Sequence, residues 1–191
     1  MTVLRKRALS SPIAAWRSLE RRLHLLSNTT PAPNQLTLFD PDEDRLDDEE
    51  PLGVLAPPGM QDTGREQRWL RSLIDAARDA AREDSKLAFL RRLVRRIPRE
   101  SAIVFTEYRD TLAYLSGSFP DALLLHGGLP AERRDSIRRQ FNAAGGLLLA
   151  TDAAAEGLNL HARCRLVVNY ELPCSTVSWP TTSCVCTAGR T

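Results

Sequence analysis

The stretch TDAAAEGLN, residues 151–159, carries polar side chains directly after an apolar run. Thr151 and Asp152 follow the residues GLLLA, which are typical of a buried strand. A carboxylate buried without a partner is costly, so we expect Asp152 to contact a hydroxyl, an amide, an arginine or a ligand, or to cap the turn that follows. The small residues before Glu156 and Gly157 indicate that a ligand or a facing domain passes close to this turn.

A second polar stretch, HGGLPAERR, begins at His126 and also follows an apolar run. Gly127 and Gly128 allow the backbone to approach another group closely, and Pro130 suits the first turn of a helix. This pattern predicts contact with a sugar–phosphate backbone, and a tight turn beside a solvated basic face is the alternative. The basic face of the predicted helix would consist of Arg133, Arg134, Arg138 and Arg139.

Apolar runs that alternate with amphipathic helices would position these turns. The pattern predicts strands over 102–106, 122–126, 146–151 and 165–170, with helices over 109–118 and 130–142. This alternation indicates an α/β fold of the doubly wound kind, in which helices cover both faces of a parallel sheet. Ligands of such sheets bind at the carboxyl ends of the strands, where both polar stretches fall.

Three further helices are expected before the first strand. One covers 9–27, with Ser10 and Ser11 as caps and Pro12 in its first turn. The second covers 65–84, and its predicted inner face includes Trp69, Leu70, Leu73 and Ile74. The third begins with Ser85 as its cap, runs to Ile97 and is stopped by Pro98.

The segment 28–64 is predicted to be a disordered linker, because proline, glycine, asparagine and acids dominate it. Within it, residues 40–50 hold eight acids against Arg45 alone. Of the 26 basic residues in the chain, Lys6 and Lys86 are the lysines, so nearly all positive charge is guanidinium, which can bind phosphate bidentately. A GC-rich coding sequence is the alternative explanation for this arginine content.

Composition argues against a membrane protein and against a metal site. The sequence contains no apolar run of the roughly 18 residues that cross a bilayer and no signal peptide, so a cytoplasmic location is expected. Three of the four cysteines lie in the last 18 residues without the ligand spacing of a zinc site.

Four stretches in this order resemble a known family. They are AIVFTEYRDTLAYL, LLLHGGLPAERRDSIRRQF, LLLATDAAAEGLNL and RLVVNYELP. They are similar to motif IV, the segment after it, motif V and the following strand in the carboxy-terminal RecA-like lobe of superfamily 2 helicases, with the nearest likeness to Swi/Snf-type DNA translocases. The likeness is strongest over residues 85–173, and residues 1–27 resemble the helix between the two lobes.

The resemblance implies a motor in which ATP and Mg²⁺ bind between two lobes while nucleic acid, double-stranded DNA for the Swi/Snf type, runs across both. It implies that Asp152, Glu156 and Gly157 lie at the ATP cleft. The residues it places near nucleic acid are Thr106, His126, Gly127, Arg134, Thr151 and Asn159.

Two parts of such a motor are missing from these 191 residues. No G-x-x-x-x-G-K-[ST] loop occurs, and the acidic run 40–50 has no preceding strand that would make it a magnesium site. After Pro173, residues 174–191 do not match the arginine-bearing motif VI, which indicates a frame-shifted tail, the alternative being a divergent carboxy terminus. Without the motif VI helix, exposed apolar surface is expected on the flank of the sheet.

The chain is therefore predicted to be a carboxy-terminal lobe fragment, in domains 1–27, 28–64, 65–173 and 174–191. Alone it would have no complete catalytic set and no cofactor, and it would bind ATP and Mg²⁺ only with a separate first lobe. The alternative function is a non-catalytic module that binds nucleic acid or docks onto a separate amino-terminal lobe. An unrelated Rossmann-like binder is weaker, because no G-x-G-x-x-G follows a strand.

Overall fold

A parallel sheet lies at the centre of the protein. In this computed structural model, residues 2–27, 59–98, 100–155, 160 and 163–171 are described. Their strands are β1 (Ala102–Thr106), β2 (Leu123–Leu125), β3 (Leu147–Thr151) and β4 (Leu166–Asn169), in the order β2-β3-β1-β4. All three strand pairs are parallel, so the predicted α/β fold with a parallel sheet is confirmed.

Seven helices surround this sheet in the described part of the chain. They are α1 (Thr2–Ser10), α2 (Pro12–Ser27), α3 (Thr63–Arg82), α4 (Ser85–Arg96), α5 (Arg109–Ser116), α6 (Ala131–Ala144) and the short α7 (Asp152–Ala155). None of the helices described is long and apolar enough to cross a membrane.

The two faces of the sheet carry separate apolar clusters, because side chains alternate along each strand. Ile103 pairs with Leu148, and this face packs against Ile137 and Phe141 of α6. Val104, one residue further along β1, belongs to the other face. That face packs against α4 and α5 through Leu87, Leu90, Leu112 and Leu115. Helices on both faces are what the apolar strands require.

The edge strand β4 is only partly covered. Val167 pairs with Ile103 and so belongs to the face that packs against α6, yet 42% of Val167 is exposed. Exposed apolar surface on the flank of the sheet remains a prediction, because the residues after Glu171 lie outside the described part of the chain.

The amino-terminal segment folds as two helices rather than one. The helix predicted within 9–27, with serine caps and Pro12 in its first turn, is α2, which begins at Pro12, whereas α1, which ends at Ser10, was not predicted. Pro12 has no amide hydrogen and therefore suits the first position of a new helix. Ser11 lies between the helices, and its Oγ accepts a hydrogen bond from the amide of Ala14 at 3.1 Å.

The caps of α3 and α4 are aspartates. Asp62 accepts a hydrogen bond from the Arg65 amide at 2.9 Å at the start of α3. Asp84 accepts from the amides of Lys86 and Leu87 at 2.9 and 3.0 Å, so it caps α4 in place of the predicted Ser85. Carboxylates are favoured at this position because they satisfy free amides and the positive end of the helix dipole.

Helices α2 and α3 pack together through an apolar cluster of their own, which includes Leu19, Leu70 and Ile74. Trp69 and Leu73 were predicted on the inner face of α3, but they are 53% and 48% exposed. The buried stripe is narrow because α3 presents one side to α2. Most of the predicted linker 28–64 and all of the predicted tail 174–191 lie outside the described residues.

Candidate nucleic-acid interface

The carboxyl ends of the four parallel strands bring the predicted site residues to one edge of the sheet. Thr106 ends β1, His126 follows β2, Thr151 ends β3, and Glu171 follows β4. Thr106 and Thr151 are paired neighbours on adjacent strands, and both are buried. This carboxyl edge is where ligands of open α/β sheets bind.

Thr106 uses its hydroxyl within the protein. The Oγ1 atom donates a hydrogen bond to Oε1 of Glu171 at 2.7 Å, and the Glu107 amide donates to Oε2 of the same carboxylate at 3.1 Å. Both carboxylate oxygens of Glu171, which follows β4, thus accept hydrogen bonds from the end of β1. The predicted contact between Thr106 and nucleic acid remains a prediction, and the structure adds Glu171 as a residue of this edge.

A chain of hydroxyls connects the α1–α2 junction to the same carboxylate. The Ser10 hydroxyl donates to Oε1 of Glu171 and lies 2.6 Å from Oγ1 of Thr111, in α5. Ser11 Oγ lies 2.8 Å from the same Thr111 oxygen. The three hydroxyl-bearing residues are buried, so each hydrogen bond replaces water that is excluded there.

Lys86 of α4 contacts the same junction between α1 and α2. Its Nζ atom donates to the backbone carbonyl oxygens of Leu9 and Ser10 at 3.1 and 2.9 Å, which satisfies carbonyls left free at the end of α1. The same ammonium lies 4.1 Å from the centre of the Tyr170 ring. Burial lowers the pKa of Lys86, and the negative charge of Glu171 opposes that shift.

Asp110, in the first turn of α5, binds three arginines from the amino-terminal helices. Its oxygens lie 2.9 Å from Nη1 of Arg7, 2.9 Å from Nη1 of Arg17 and 2.7 Å from Nη2 of Arg21. Burial raises the pKa of Asp110, but the three guanidinium groups outweigh it and the pKa falls below its usual range. The three guanidinium groups thus outnumber the single carboxylate of Asp110 that binds them.

The turn after β2 lies against a further arginine. A Cβ atom placed on Gly128 would be 3.3 Å from Nη1 of Arg109 and 3.4 Å from Nδ1 of His126, so a larger residue would require the Arg109 side chain to shift by a few tenths of an ångström. The Leu129 amide donates to the His126 carbonyl at 3.1 Å and closes the turn. Arg109, which the sequence interpretation did not select, therefore presents its guanidinium beside the predicted His126 and Gly127.

Arg134 lies in the first turn of α6, directly after this glycine turn. The residue is half-buried, and its Nε atom is buried without a hydrogen-bond partner among the described residues. Arg138, one turn later, is instead paired with Asp135 at 3.1 Å. Among the described residues Arg134 has no carboxylate partner comparable to that of Arg138.

Asp152, which is predicted to lie at the ATP cleft, follows the end of β3, and its role there remains a prediction. Asp152 is exposed and begins α7, whereas Ala154 of that helix is buried in the core. An exposed carboxylate at the carboxyl edge can accept hydrogen bonds from the sugar hydroxyls of a nucleotide. Glu156, Gly157 and Asn159 lie outside the described residues, so their predicted roles remain predictions.

Comparison with known proteins identifies the fold that carries this edge. The family model described as "Helicase conserved C-terminal domain" matches residues 85–191, which is more than half of the chain. The chain belongs to this family. The helicase C-terminal domain match begins at α4 and includes every strand of the sheet.

Several curated helicases are similar to this helicase C-terminal domain. An uncharacterized ATP-dependent helicase, YqhH, of Bacillus subtilis is 32% identical over 95 residues, which cover 48% of this chain and 17% of YqhH. The mitochondrial DEAD-box ATP-dependent RNA helicase 47 of Arabidopsis thaliana is 28% identical over 137 residues, which cover 68% of this chain and 25% of the plant helicase. The ATP-dependent RNA helicase RhlB of Vibrio vulnificus is 35% identical over 95 residues, which cover 47% of this chain and 22% of RhlB.

The chain thus spans a quarter or less of the length of these three relatives. Two of the three are named RNA helicases, and none is named as a Swi/Snf-type DNA translocase. The comparisons therefore support the prediction of a helicase carboxy-terminal lobe. They do not show that this lobe is of the Swi/Snf type.

Proposed function

We propose that this chain acts as the second lobe of an ATP-dependent helicase and binds the nucleic-acid backbone along its carboxyl edge. The observation that carries the proposal is the convergence of Arg109, Arg134 and the glycine turn at that edge, within a helicase C-terminal domain. Backbone amides and guanidinium groups are the donors that phosphates prefer, and they bind without reading base sequence.

The residues of the edge have separate tasks in this proposal. Gly128 lets a phosphate approach the turn, while Arg109 and Arg134 supply positive charge on either side of it. Asp152 is the described residue that would contact a nucleotide's sugar. ATP, when bound between this lobe and another, supplies the free energy for moving the lobes. The hydrogen bonds of Thr106 and Glu171 keep β1 and β4 aligned beneath the site.

Binding of a labelled oligonucleotide by Arg134→Ala and Arg109→Ala tests the site. Each variant loses one phosphate contact, so binding should weaken several-fold on all sequences, and the slope of log K against log salt should fall by about one. Arg68→Ala is the matched control, because Arg68 is an exposed arginine of α3, away from the edge. Equal effects of all three variants would show that the edge is not the binding site.

The same assay distinguishes the kind of nucleic acid. The resemblance of the motifs to Swi/Snf-type translocases supports double-stranded DNA as the ligand, which is our finer proposal. Unlabelled DNA duplex should then compete better than RNA of equal length at one salt concentration. Stronger competition by RNA would replace the duplex-DNA proposal and leave the lobe assignment intact.

A non-catalytic docking module is the second candidate function. The absence of a glycine-rich phosphate loop from these 191 residues favours it, because hydrolysis then requires groups from outside these residues. In that case the carboxyl edge would face a separately encoded first lobe.

A further inference from the structure

The outer face of α4 combines an exposed aromatic ring with arginines. Phe89 is 61% exposed, although a phenylalanine of a helix that covers the sheet would normally be buried. Arg92 and Arg96 follow it at i+3 and i+7, which places the three side chains along one stripe of the helix. The opposite stripe, with Leu87 and Leu90, is buried against the sheet.

The charge on this face is not balanced by nearby acids. The twelve residues of α4 include no aspartate or glutamate. No carboxylate in the described residues pairs with Arg92, Arg95 or Arg96. Three arginines of α3 and α6, in contrast, pair with an aspartate three residues earlier: Arg78 with Asp75, Arg82 with Asp79, and Arg138 with Asp135.

Helix stability explains part of this pattern but not all of it. Basic residues in the last turn favour a helix because they face the negative end of its dipole, which accounts for Arg95 and Arg96. The dipole gives no reason for Arg92 one turn earlier, and it gives none for an exposed phenyl ring. A ligand that offers both negative charge and flat apolar surface accounts for all of them.

The arginine-bearing end of this face lies away from the carboxyl edge. From Arg96 the chain passes through 97–101 to Ala102, the amino end of β1, so α4 runs antiparallel to the strands. The last turn of α4 therefore lies toward the amino ends of the strands. The helix also packs on the face of the sheet opposite α6, which carries Arg134.

We propose that the outer face of α4 binds single-stranded nucleic acid as a second site, with a base stacked on Phe89 and phosphates bound by Arg92 and Arg96. Exposed aromatic rings combined with arginines form the usual platform for single strands, and stacking tolerates any base. The ring faces of bases are accessible in single strands and are covered in a duplex. The stripe from Phe89 to Arg96 spans about 10 Å along the helix.

Binding measurements with the 191-residue chain test this site. The probes are fluorescein-labelled dT20 and rU20, followed by anisotropy across a salt series. Phe89→Ala should weaken binding about fivefold or more at unchanged salt slope. The double variant R92Q/R96Q should reduce the salt slope by about 1.4, the value for two phosphates of a single strand.

Matched control variants distinguish loss of a specific site from a general loss of positive charge or apolar surface. Leu73→Ala removes an apolar side chain of similar exposure from α3, and R68Q/R71Q removes two exposed arginines of the same helix. Neither should change binding. Equal effects of test and control variants would overturn the proposal, as would the absence of single-strand binding at micromolar concentration. Circular dichroism of each variant should be unchanged, because these side chains are exposed.

Photo-crosslinking locates the strand directly. A 20-mer containing 5-iodouridine should crosslink to the tryptic peptide 87–91, which contains Phe89, and Arg134→Ala should leave that crosslink in place. Crosslinks confined to residues 126–139 would show that the single strand binds at the carboxyl edge alone and would refute the second site.

Discussion

Asp110 forms ion pairs with three arginines, more than any other carboxylate described at the carboxyl edge. One of its partners, Arg7, is itself buried and stacks 4.8 Å from the centre of the Tyr108 ring. Arg17 and Arg21 approach from the more exposed side of α2. Because Asp110 neutralises a buried arginine, its loss would leave a positive charge with little solvent to stabilise it.

Asp110→Asn should therefore lower the free energy of unfolding by about 3 kcal/mol at neutral pH. The pKa of Asp110 is lowered from 3.8 in the folded protein, so its stabilisation is complete above that value and is lost as pH falls through the lowered pKa. The difference between wild type and variant should shrink below pH 3.8. Urea unfolding between pH 7 and pH 2 measures it.

Asp121→Asn is the control for this prediction, because Asp121 is an exposed aspartate between α5 and β2. Its substitution should change stability by less than about 0.5 kcal/mol. A constant difference between wild type and D110N across the whole pH range would contradict an ionic role for Asp110.

Sequence patterns located the turn residues of the site but not their partners. His126, Thr151 and Asp152 follow apolar runs, and such runs determine where strands end. The bonds from Glu171 to Ser10 and Thr106 join residues 161 and 65 positions apart. Single hydroxyls and carboxylates have no periodicity, so no local pattern could indicate these pairs.

At the scale of elements, an ion pair between Arg22 and Glu66 connects α2 to α3. Oε1 of Glu66 accepts from Nε and Nη2 of Arg22 at 3.1 and 2.7 Å, and Oε2 accepts from the amides of Gly59 and Met60 at 3.1 Å. Both side chains of the pair are buried. This pair holds the start of α3, with the two residues described just before it, against α2.

Glu66→Gln should lower the free energy of unfolding by about 3 kcal/mol, because Arg22 would keep its charge in a buried place without a carboxylate. Glu20→Gln provides the comparison. Glu20 lies 2.7 Å from Arg78 in a pair whose side chains are 43% and 45% exposed, so its loss should cost less than about 1 kcal/mol. Chemical unfolding of both variants gives the two values, and equal losses would contradict the role of burial.

The elements themselves were largely predictable, with instructive exceptions. Each strand lies within the predicted range because its apolar run is bounded by polar or glycine residues. The start of α2 at Pro12 agrees with the predicted serine caps, whereas α1 was not predicted as a separate helix. Trp69 and Leu73 fit the helical period yet are exposed, since periodicity does not state how wide the covered stripe is.

At the scale of the whole molecule, the helicase C-terminal domain accounts for residues 85–191, while α1 and α2 are bound to it by charge and hydroxyl contacts. A two-lobe motor hydrolyses ATP with groups from both sides of its cleft. These 191 residues contain no glycine-rich phosphate loop, and this is the basis for proposing that they do not hydrolyse ATP alone.

The purified chain should accordingly show no ATP turnover, with or without nucleic acid, in a coupled phosphate-release assay. Measurable turnover that co-purifies with the chain and is altered by Asp152→Ala would contradict this. Restoration of turnover on mixing with a separately expressed first lobe would support the docking alternative, and failure to form any complex at micromolar concentration would count against it.

The contact between Ser10 and Glu171 also has a consequence for biosynthesis. The two residues are 161 positions apart, so a ribosome that adds roughly 5 to 20 residues per second completes the second about ten to thirty seconds after the first. Throughout that interval the Ser10 hydroxyl lacks the Glu171 carboxylate that accepts its hydrogen bond. The hydrogen bond between Ser10 and Glu171 can therefore form only after the helices α1 to α6 have been synthesised.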